Sequence, residues 1–252
     1  MNEIQLQLLV DLHRTAQRQG PGGEAETLKS IDLAMLDPTE LLKIADIGCG
    51  TGASAMLLVR ELNAQVTAVD FLPGFIDVLK DKAESEGLLD KISPIVGSMD
   101  NLPFNDEEYD VIWSEGAIYN IGFEKGVREW RRYLKSGGFL IVSEITWITA
   151  ERPSEIQKYW ESEYPEIGTA SSKINILETS GYTPVAYFTL PEHCWLENYY
   201  RPIQNRFSAF LAGNAHSEDA QTIVEAEKRE ISLYEKYKNY FSYGVYIAKK
   251  LV

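Results

Sequence analysis

Apolar positions along the chain follow two rhythms. Ile4, Leu8 and Leu12 are spaced four apart and predict an opening amphipathic helix. Gly20-Pro21-Gly22-Gly23 breaks the chain, and Leu28, Ile31 and Met35 then share one face of a second helix that Pro38 ends. From Lys43 the texture changes. The short apolar run Ile44-Ala45-Asp46-Ile47 leads into Gly48-Cys49-Gly50-Thr51-Gly52 and a helical stretch to Leu62. Residues 65–69 read as a second strand, closed by Asp70. Pro73 falls in the first turn of the next helix, where its missing N–H has no intrahelical partner to lose, and that helix runs to about Glu86. Strands follow at 92–96, 109–113 and 138–145, with a helix over 122–134 before the last of them. Strands alternating with helices predict βαβ units, a parallel sheet and right-handed crossovers that put helices on both faces.

Beyond Thr146 the rhythm loosens. A helix over 154–164 carries Ile156, Tyr159, Trp160 and Tyr164 along one side, a short helix ends near Gly181, and residues 183–190 read as a sixth strand. Trp195, Tyr199, Ile203 and Phe207 recur every four residues, interrupted by Pro202. Ser217 caps a long charged helix reaching about Phe241, and residues 243–250 form a last strand. No Pro- or Ser-rich linker marks a boundary. The expectation is one domain over 1–252: a helical cap at 1–40, a core at 41–148, and helices on the substrate side with the last two strands at 149–252.

Composition narrows the partners. The 252 residues carry 24 Lys and Arg against 38 Asp and Glu, a net charge of −14. That balance opposes a phosphate backbone, so no nucleic acid partner is expected. Hydrophobic residues at 44% and charged residues at 25% are those of a folded globular chain rather than a disordered one. Cys49 and Cys194 cannot make a disulfide framework, which suits a reducing cytoplasm. Residues 1–10 contain Glu3 and no basic cluster, so no signal peptide is expected, and no apolar run approaches the roughly 18 residues of a membrane span. His13, His193 and His216 are scattered and no HExxH occurs, so no metal is expected.

The glycine run is where the chemistry starts. Glycines between a strand and a helix permit a tight turn and close approach of backbone N–H groups to a ligand, with the helix N-terminus behind them. Gly48, Gly50 and Ala53 loosely satisfy the dinucleotide fingerprint GxGxxG/A, although a glycine turn can also serve packing alone. Asp70 lies 22 residues after Gly48, where a carboxylate can accept both ribose hydroxyls or simply cap a helix. Asp46 adds negative charge where a pyrophosphate would sit and suits a ligand with a free ammonium. No GKS or GKT follows the glycines, so the Walker pattern is absent.

Asp46-Ile47-Gly48-Cys49-Gly50-Thr51-Gly52 resembles the DxGxGxG motif of class I S-adenosylmethionine-dependent methyltransferases. The supporting segments fall in order: Val69-Asp70-Phe71, then Gly97-Ser98-Met99-Asp100-Asn101-Leu102-Pro103-Phe104, Tyr109-Asp110-Val111-Ile112-Trp113-Ser114 and Leu134-Lys135-Ser136-Gly137-Gly138-Phe139. As a set, covering about residues 40 to 148, they are similar to ubiquinone/menaquinone-biosynthesis methyltransferases and to small-molecule N-methyltransferases. The resemblance implies an α/β fold with a doubly wound seven-stranded Rossmann-like sheet, mostly parallel, its last strand antiparallel. It implies S-adenosyl-L-methionine as cofactor and a small-molecule acceptor methylated at an amine, a hydroxyl or an activated carbon. It assigns Gly48, Cys49, Gly50 and Gly52 to the methionine and ribose portion, Asp46 to the amino group, Asp70 to the ribose and Phe71 to the adenine. Met99 would offer its backbone N–H to the ring, and Ser114 would border the cofactor. The family often has Asp where this chain has Ser98, so either Ser98 or Asp100 faces the adenine amino group. The alternatives are a nicotinamide-dependent oxidoreductase, which Asp46 and residues 97–104 argue against, and a protein that binds the cofactor without turnover.

Transfer from a sulfonium is an in-line displacement, so alignment and exclusion of water are the protein's main tasks. Ligands in such folds lie beyond the carboxyl ends of strands. There the sequence has Ser114-Glu115-Gly116-Ala117-Ile118-Tyr119-Asn120 and Ser143-Glu144-Ile145-Thr146-Trp147. Each segment carries a carboxylate and an aromatic, which suits an amine or cationic acceptor. If the chain turns helically after the fourth strand, Glu115 and Tyr119 project to one side, Glu115 as proton acceptor and Tyr119 as orienting hydroxyl. Arg18, on the loop before Gly20, is expected to meet the cofactor's carboxylate. The aromatic rows Tyr159, Trp160, Tyr164 and Trp195, Tyr199, Phe207 read first as core, with acceptor contact as the alternative. The oligomeric state stays open, a homodimer included.

Overall fold

The structure, a computed structural model, describes residues 3–251. Positions 1, 2 and 252, which belong to the expected first helix and to the ends of the 1–252 unit, lie outside the described residues. Two helices, α1 (Glu3–His13) and α2 (Glu24–Ala34), precede the alternating core. The core runs β1 (Leu42–Ile47), α3 (Ala53–Glu61), β2 (Ala64–Asp70), α4 (Pro73–Ser85), β3 (Ile92–Val96), β4 (Tyr109–Glu115), α5 (Phe123–Trp130) and β5 (Leu134–Trp147). Then come α6 (Ser154–Glu163), the two-residue β6 (Gly168–Thr169), α7 (Ala170–Thr179), β7 (Tyr182–Thr189), α8 (Glu192–Trp195), α9 (Arg201–Gln204), α10 (Phe207–Gly213), α11 (Glu218–Tyr237) and β8 (Phe241–Lys250).

The strands form one sheet in the order β3-β2-β1-β4-β5-β8-β7, with β6 paired to the end of β5. All neighbours are parallel except β8, which lies antiparallel between β5 and β7. The fold is therefore the doubly wound, mostly parallel sheet that the resemblance implies. After β3 the chain crosses back over β1 to place β4 on its other side, which opens a crevice beyond the carboxyl ends of β1 and β4. Period-2 alternation splits each central strand between two apolar layers. Ile44, Val111, Trp113 and Ile141 pack with α2, α3 and α4, whereas Ala45, Ile112, Leu140 and Val142 pack with α5 and α7. Among the described residues no helix is long and apolar enough to cross a membrane.

Four expected boundaries move. Met35 does not join the apolar face of α2: it ends the helix in the left-handed region (φ 52) and is 80% exposed. Its N–H returns to the Ile31 and Asp32 carbonyls, which closes the helix three residues before Pro38. The helix expected to reach residue 134 stops at Trp130 and tightens into a 3₁₀ turn over Arg131–Tyr133. β5 is longer than the expected 138–145 because β4 pairs with it at Leu134 and β8 pairs along it as far as Trp147. The four-residue recurrence from Trp195 is broken into α8, a π-helical turn over Leu196–Tyr200, and α9. Pro202 stands at the start of α9, where its lack of an N–H is tolerated, and the widened turn before it absorbs the missing bond.

Candidate active site

The glycine turn is built as the first wall of the crevice. Gly48 and Gly50 have φ of +75° and +55°, which side chains with a Cβ rarely adopt. A Cβ on Gly48 would stand 2.2 Å from that of Ala117 in the loop after β4. The Gly48 and Cys49 N–H groups donate to the Val69 carbonyl at 2.8 and 3.1 Å, which ties the turn to the end of β2. Gly50 N–H donates to Asp70 Oδ2 and Leu72 N–H to Oδ1, both at 2.9 Å. Asp70 thus braces the turn from below while its carboxylate borders the cavity. From above, Gln19 Oε1 accepts the Thr51 N–H at 2.8 Å, and Gln19 Nε2 donates to the Ala16 and His13 carbonyls. Gln19 fastens the N-terminal segment onto the glycine turn.

The cavity so enclosed has a volume of about 440 Å³. Its electrostatics are lopsided. Asp46 is buried and accepts from the Ala55 amide, yet its Oδ2 has no partner. Burial, then Glu115 and Asp70, push Asp46 well above the usual carboxylate range. Burial also raises Asp70, against the amides that donate to it. Arg18 is the cation lining this cavity, and it is already engaged: Nη1 donates to Glu115 Oε2 at 2.5 Å and Nη2 to Thr27 Oγ1 at 3.1 Å. Four carboxylates, Asp46, Asp70, Asp100 and Glu115, line the cavity against one guanidinium, and an unpartnered buried oxygen on Asp46 marks where a ligand cation would be welcome.

Arg18, Asp46, Gly48, Cys49, Gly50, Asp70, Phe71, Ser98, Met99, Glu115 and Tyr119 all line this cavity. Phe71 is 60% exposed at the edge of the cavity. Ser98 Oγ accepts the Asp100 N–H at 3.3 Å, and Asp100, which also lines the cavity, is ion-paired with Lys125. Two expected residues fall outside. Gly52 starts α3 and packs against Leu79, and Ser114 is buried with its Oγ donating to the Ile47 carbonyl at 2.8 Å, a tie between β4 and β1. Both are scaffold, because they follow the wall-forming residues into the layer behind the crevice.

Glu115 and Tyr119 both border the cavity, but the helical turn expected between them is not formed. Gly116 (φ +63) turns the chain between them, and a 3₁₀ turn over Ile118–Asn120 follows. Both Glu115 oxygens are occupied: Oε1 accepts from Thr27 Oγ1 at 2.7 Å and Trp113 Nε1 at 2.9 Å, and Oε2 accepts from Arg18. That arrangement holds Arg18 rather than leaving a free proton acceptor. Tyr119 is 41% exposed, yet burial raises its hydroxyl: its open surface faces the enclosed cavity. The expected strand-end Glu144 is instead fully buried within β5, 3.7 Å from Lys173 of α7, and desolvation pushes it up to about 7 despite that cation.

A second chamber of about 210 Å³ adjoins the first through Gln19, Gly20, Pro21, Gly116 and Tyr119, which border both. Tyr159, Trp160, Tyr164, Trp195 and Tyr199 line it, so most of the aromatic positions that read first as core face a cavity, and Phe207 does not. Glu230 and Tyr243 line it too, and neither stood out in the sequence. The signal for Glu230 was present: on α11, Ala220, Val224, Ile231 and Tyr234 are buried at helical spacing, and Glu230 precedes Tyr234 by four on that inward side. Elsewhere, Glu26, His193 and Cys194 bring one metal-capable atom each within 4.8 Å. Burial raises the Cys194 thiol, which hydrogen-bonds Glu26.

Residues 45–142 match the family model of the methyltransferase domain. Methyltransferase GfsG of Streptomyces halstedii is 33% identical over 111 residues, which cover 44% of this chain and 40% of that protein. Demethylmenaquinone methyltransferase of Bacteroides fragilis is 35% identical over 113 residues, 44% of this chain and 46% of that protein. The chain thus spans less than half the length of these curated relatives. Among solved structures, a SAM-dependent methyltransferase from Geobacter sulfurreducens in complex with S-adenosyl-L-homocysteine has a TM-score of 0.83 over 96% of this chain and 97% of that one, at 18% identity, which shows a shared fold.

Proposed function

We propose that this chain, whose residues 45–142 are a methyltransferase domain of the class I S-adenosylmethionine-dependent type, transfers a methyl group from S-adenosyl-L-methionine to a small-molecule acceptor. The observation that carries the reading is the uncompensated charge at the crevice. Asp46 Oδ2 is buried without a partner beside a glycine turn, with Asp70 and Glu115 near it and Arg18 already paired. S-adenosylmethionine brings an ammonium and a sulfonium to such a site; a nicotinamide dinucleotide brings a pyrophosphate, whose charge the carboxylates repel. When bound, the cofactor supplies an activated methyl group on sulfur.

The chain's own residues do the rest. Asp46 holds the amino group, Asp70 takes the ribose hydroxyls with the lone pairs left by Gly50 and Leu72, and Phe71 covers the adenine. Ser98 and Met99 border the base. Arg18, steadied by Glu115, faces the carboxylate end, and Tyr119 stands where the two chambers meet. Residues 3–40 serve as a cap whose Gln19 fastens it to the glycine turn, which keeps water out of the displacement. Both cysteines are free and buried, as suits a cytoplasmic protein.

The test is incubation with methyl-labelled S-adenosylmethionine and a metabolite extract, followed by mass spectrometry of labelled small molecules. Label in a new small molecule is the expected result. Tight cofactor binding with no label transferred points to a binder without turnover, and failure to bind the cofactor overturns the reading.

A further inference from the structure

The second chamber has a chemistry of its own. Its rings include Tyr119 and Tyr164, with centroids 6.1 Å apart, Tyr159 against Trp160 at 5.2 Å, and Tyr243 against Trp195 at 4.9 Å. No lysine or arginine lines it, whereas Glu230 and Glu163 do. Glu230 Oε1 accepts the Tyr200 hydroxyl at 2.8 Å. The Trp160 indole N–H is buried with no partner, a donor in want of an acceptor. At about 210 Å³ the chamber is smaller than the roughly 300–1,000 Å³ that encloses a drug-sized ligand.

We propose that this chamber binds the methyl acceptor as a small amine in its cationic form, held by the faces of Tyr119, Tyr159, Tyr199 and Tyr243 with Glu230 as counter-ion. The proposal rests on the methyltransferase reading and adds the substrate class to it. Electron-rich ring faces attract an ammonium, and desolvation in a closed chamber strengthens that attraction. An anionic acceptor would meet two carboxylates and no cation. A neutral one would leave the Glu230 charge uncompensated. The unpartnered Trp160 N–H calls for a hydroxyl or carbonyl on the same molecule.

Burial and neighbouring carboxylates both act against an uncompensated charge on Glu230. Glu227 on the same helix repels it and is itself 3.4 Å from His13 of α1. Glu163 of α6 adds to the repulsion, and Tyr200 opposes it with its hydrogen bond. Tyr119, Tyr159, Tyr199 and Tyr243 all feel the Glu230 charge and are raised, chiefly by burial, so they stay protonated. Arg229 is turned to the Tyr159 ring, 5.5 Å from its centroid. For transfer, the ammonium gives one proton to the Glu230 carboxylate. The freed nitrogen lone pair forms the N–C bond as the C–S bond breaks, its electron pair staying on sulfur, and the positive charge ends on the methylated nitrogen.

Benzyltrimethylammonium tests recognition apart from turnover, because a quaternary nitrogen cannot be methylated. Calorimetry on protein loaded with S-adenosylhomocysteine compares it with benzyl alcohol and phenylacetate. The cation is expected to bind at least roughly tenfold more tightly than either, and Glu230→Gln to lose about tenfold of that while S-adenosylhomocysteine affinity is kept. Tyr199→Leu gives a second, independent loss should the first variant fold poorly. Equal binding of cation and neutral probe, or no binding of the cation to loaded protein, overturns the amine assignment and leaves the methyltransferase reading in place. Failure of the protein to take up S-adenosylhomocysteine at all overturns that reading and the proposal with it.

Discussion

Replacing Asp70 by alanine removes one carboxylate that has two tasks. In the folded chain it accepts the Gly50 and Leu72 N–H groups, each at 2.9 Å. An ionised carboxylate has about four acceptor sites, so roughly two stay available to the ribose hydroxyls. Hydrogen bonds to a charged group contribute roughly 1.5–3 kcal/mol each, so two amount to about 3–6 kcal/mol before solvent is considered. Water enters the vacated space and recovers part of this, which leaves a loss of about 2–4 kcal/mol, or on the order of 30- to 1,000-fold in Kd. The same substitution frees two amides of the glycine turn, so the melting temperature falls as well. Calorimetric titration with S-adenosylhomocysteine reads the affinity, and thermal unfolding of the free protein reads the brace. An unchanged Kd refutes the assignment of Asp70 to the ribose, and a lower melting temperature with unchanged Kd leaves it as a brace alone.

Three other outcomes follow. Glu115→Gln and Arg18→Gln should each weaken cofactor binding and lower the melting temperature, and the double variant should be little worse than either, a coupling on the order of 1–2 kcal/mol in a double-mutant cycle; additive losses, or turnover lost at Glu115→Gln with affinity and stability intact, contradict the bracing role. Glu230 is pushed up to about 7 by burial and by Glu227, from an ordinary value of 4.5. The native state therefore holds this proton more tightly than the unfolded chain does, and the stability it contributes is full below about pH 4.5 and is lost as pH rises through about 7. Glu230→Gln should match wild type in thermal unfolding near pH 4.5 and exceed it near pH 8, by on the order of 2 kcal/mol; a variant less stable at both values contradicts this. Dialysis against a chelator should leave methyl transfer unchanged, since displacement at a sulfonium needs no Lewis acid; activity lost with chelator and restored by zinc would instead give the Glu26, His193 and Cys194 group a metal.

The sequence was most legible where local pattern and topology agree. Ile44 to Ile47, the glycines after them and Asp70 at the next strand end belong to one βαβ unit, and their spacing along the chain carries their placement in space. Met35 shows where the pattern is ambiguous, because an apolar residue at helical spacing looks the same whether it packs or ends the helix. Gln19 was missed because its partner, the Thr51 N–H, is 32 residues away and nothing local signals the contact. Glu115 looked catalytic from its position at a strand end, and Thr27, Trp113 and Arg18, which occupy it, come from elsewhere in the chain. Glu230 was hidden in a helix whose many charges made one inward carboxylate inconspicuous. For Gln19 and Glu115 the missing information was long-range; for Met35 and Glu230 the local pattern was ambiguous.

The charge lining the proposed cofactor crevice between β1 and β4 suits a cationic nucleoside cofactor and opposes a pyrophosphate. Competitive calorimetry on one protein sample tests it most directly, with S-adenosylmethionine, S-adenosylhomocysteine and NADH as titrants and Asp46→Asn as the paired variant. The expected result is one-to-one binding of both S-adenosyl compounds, no NADH binding at the same concentrations, and weaker binding of both S-adenosyl compounds to the variant. NADH binding that displaces S-adenosylhomocysteine, or that persists when neither S-adenosyl compound binds, would contradict it.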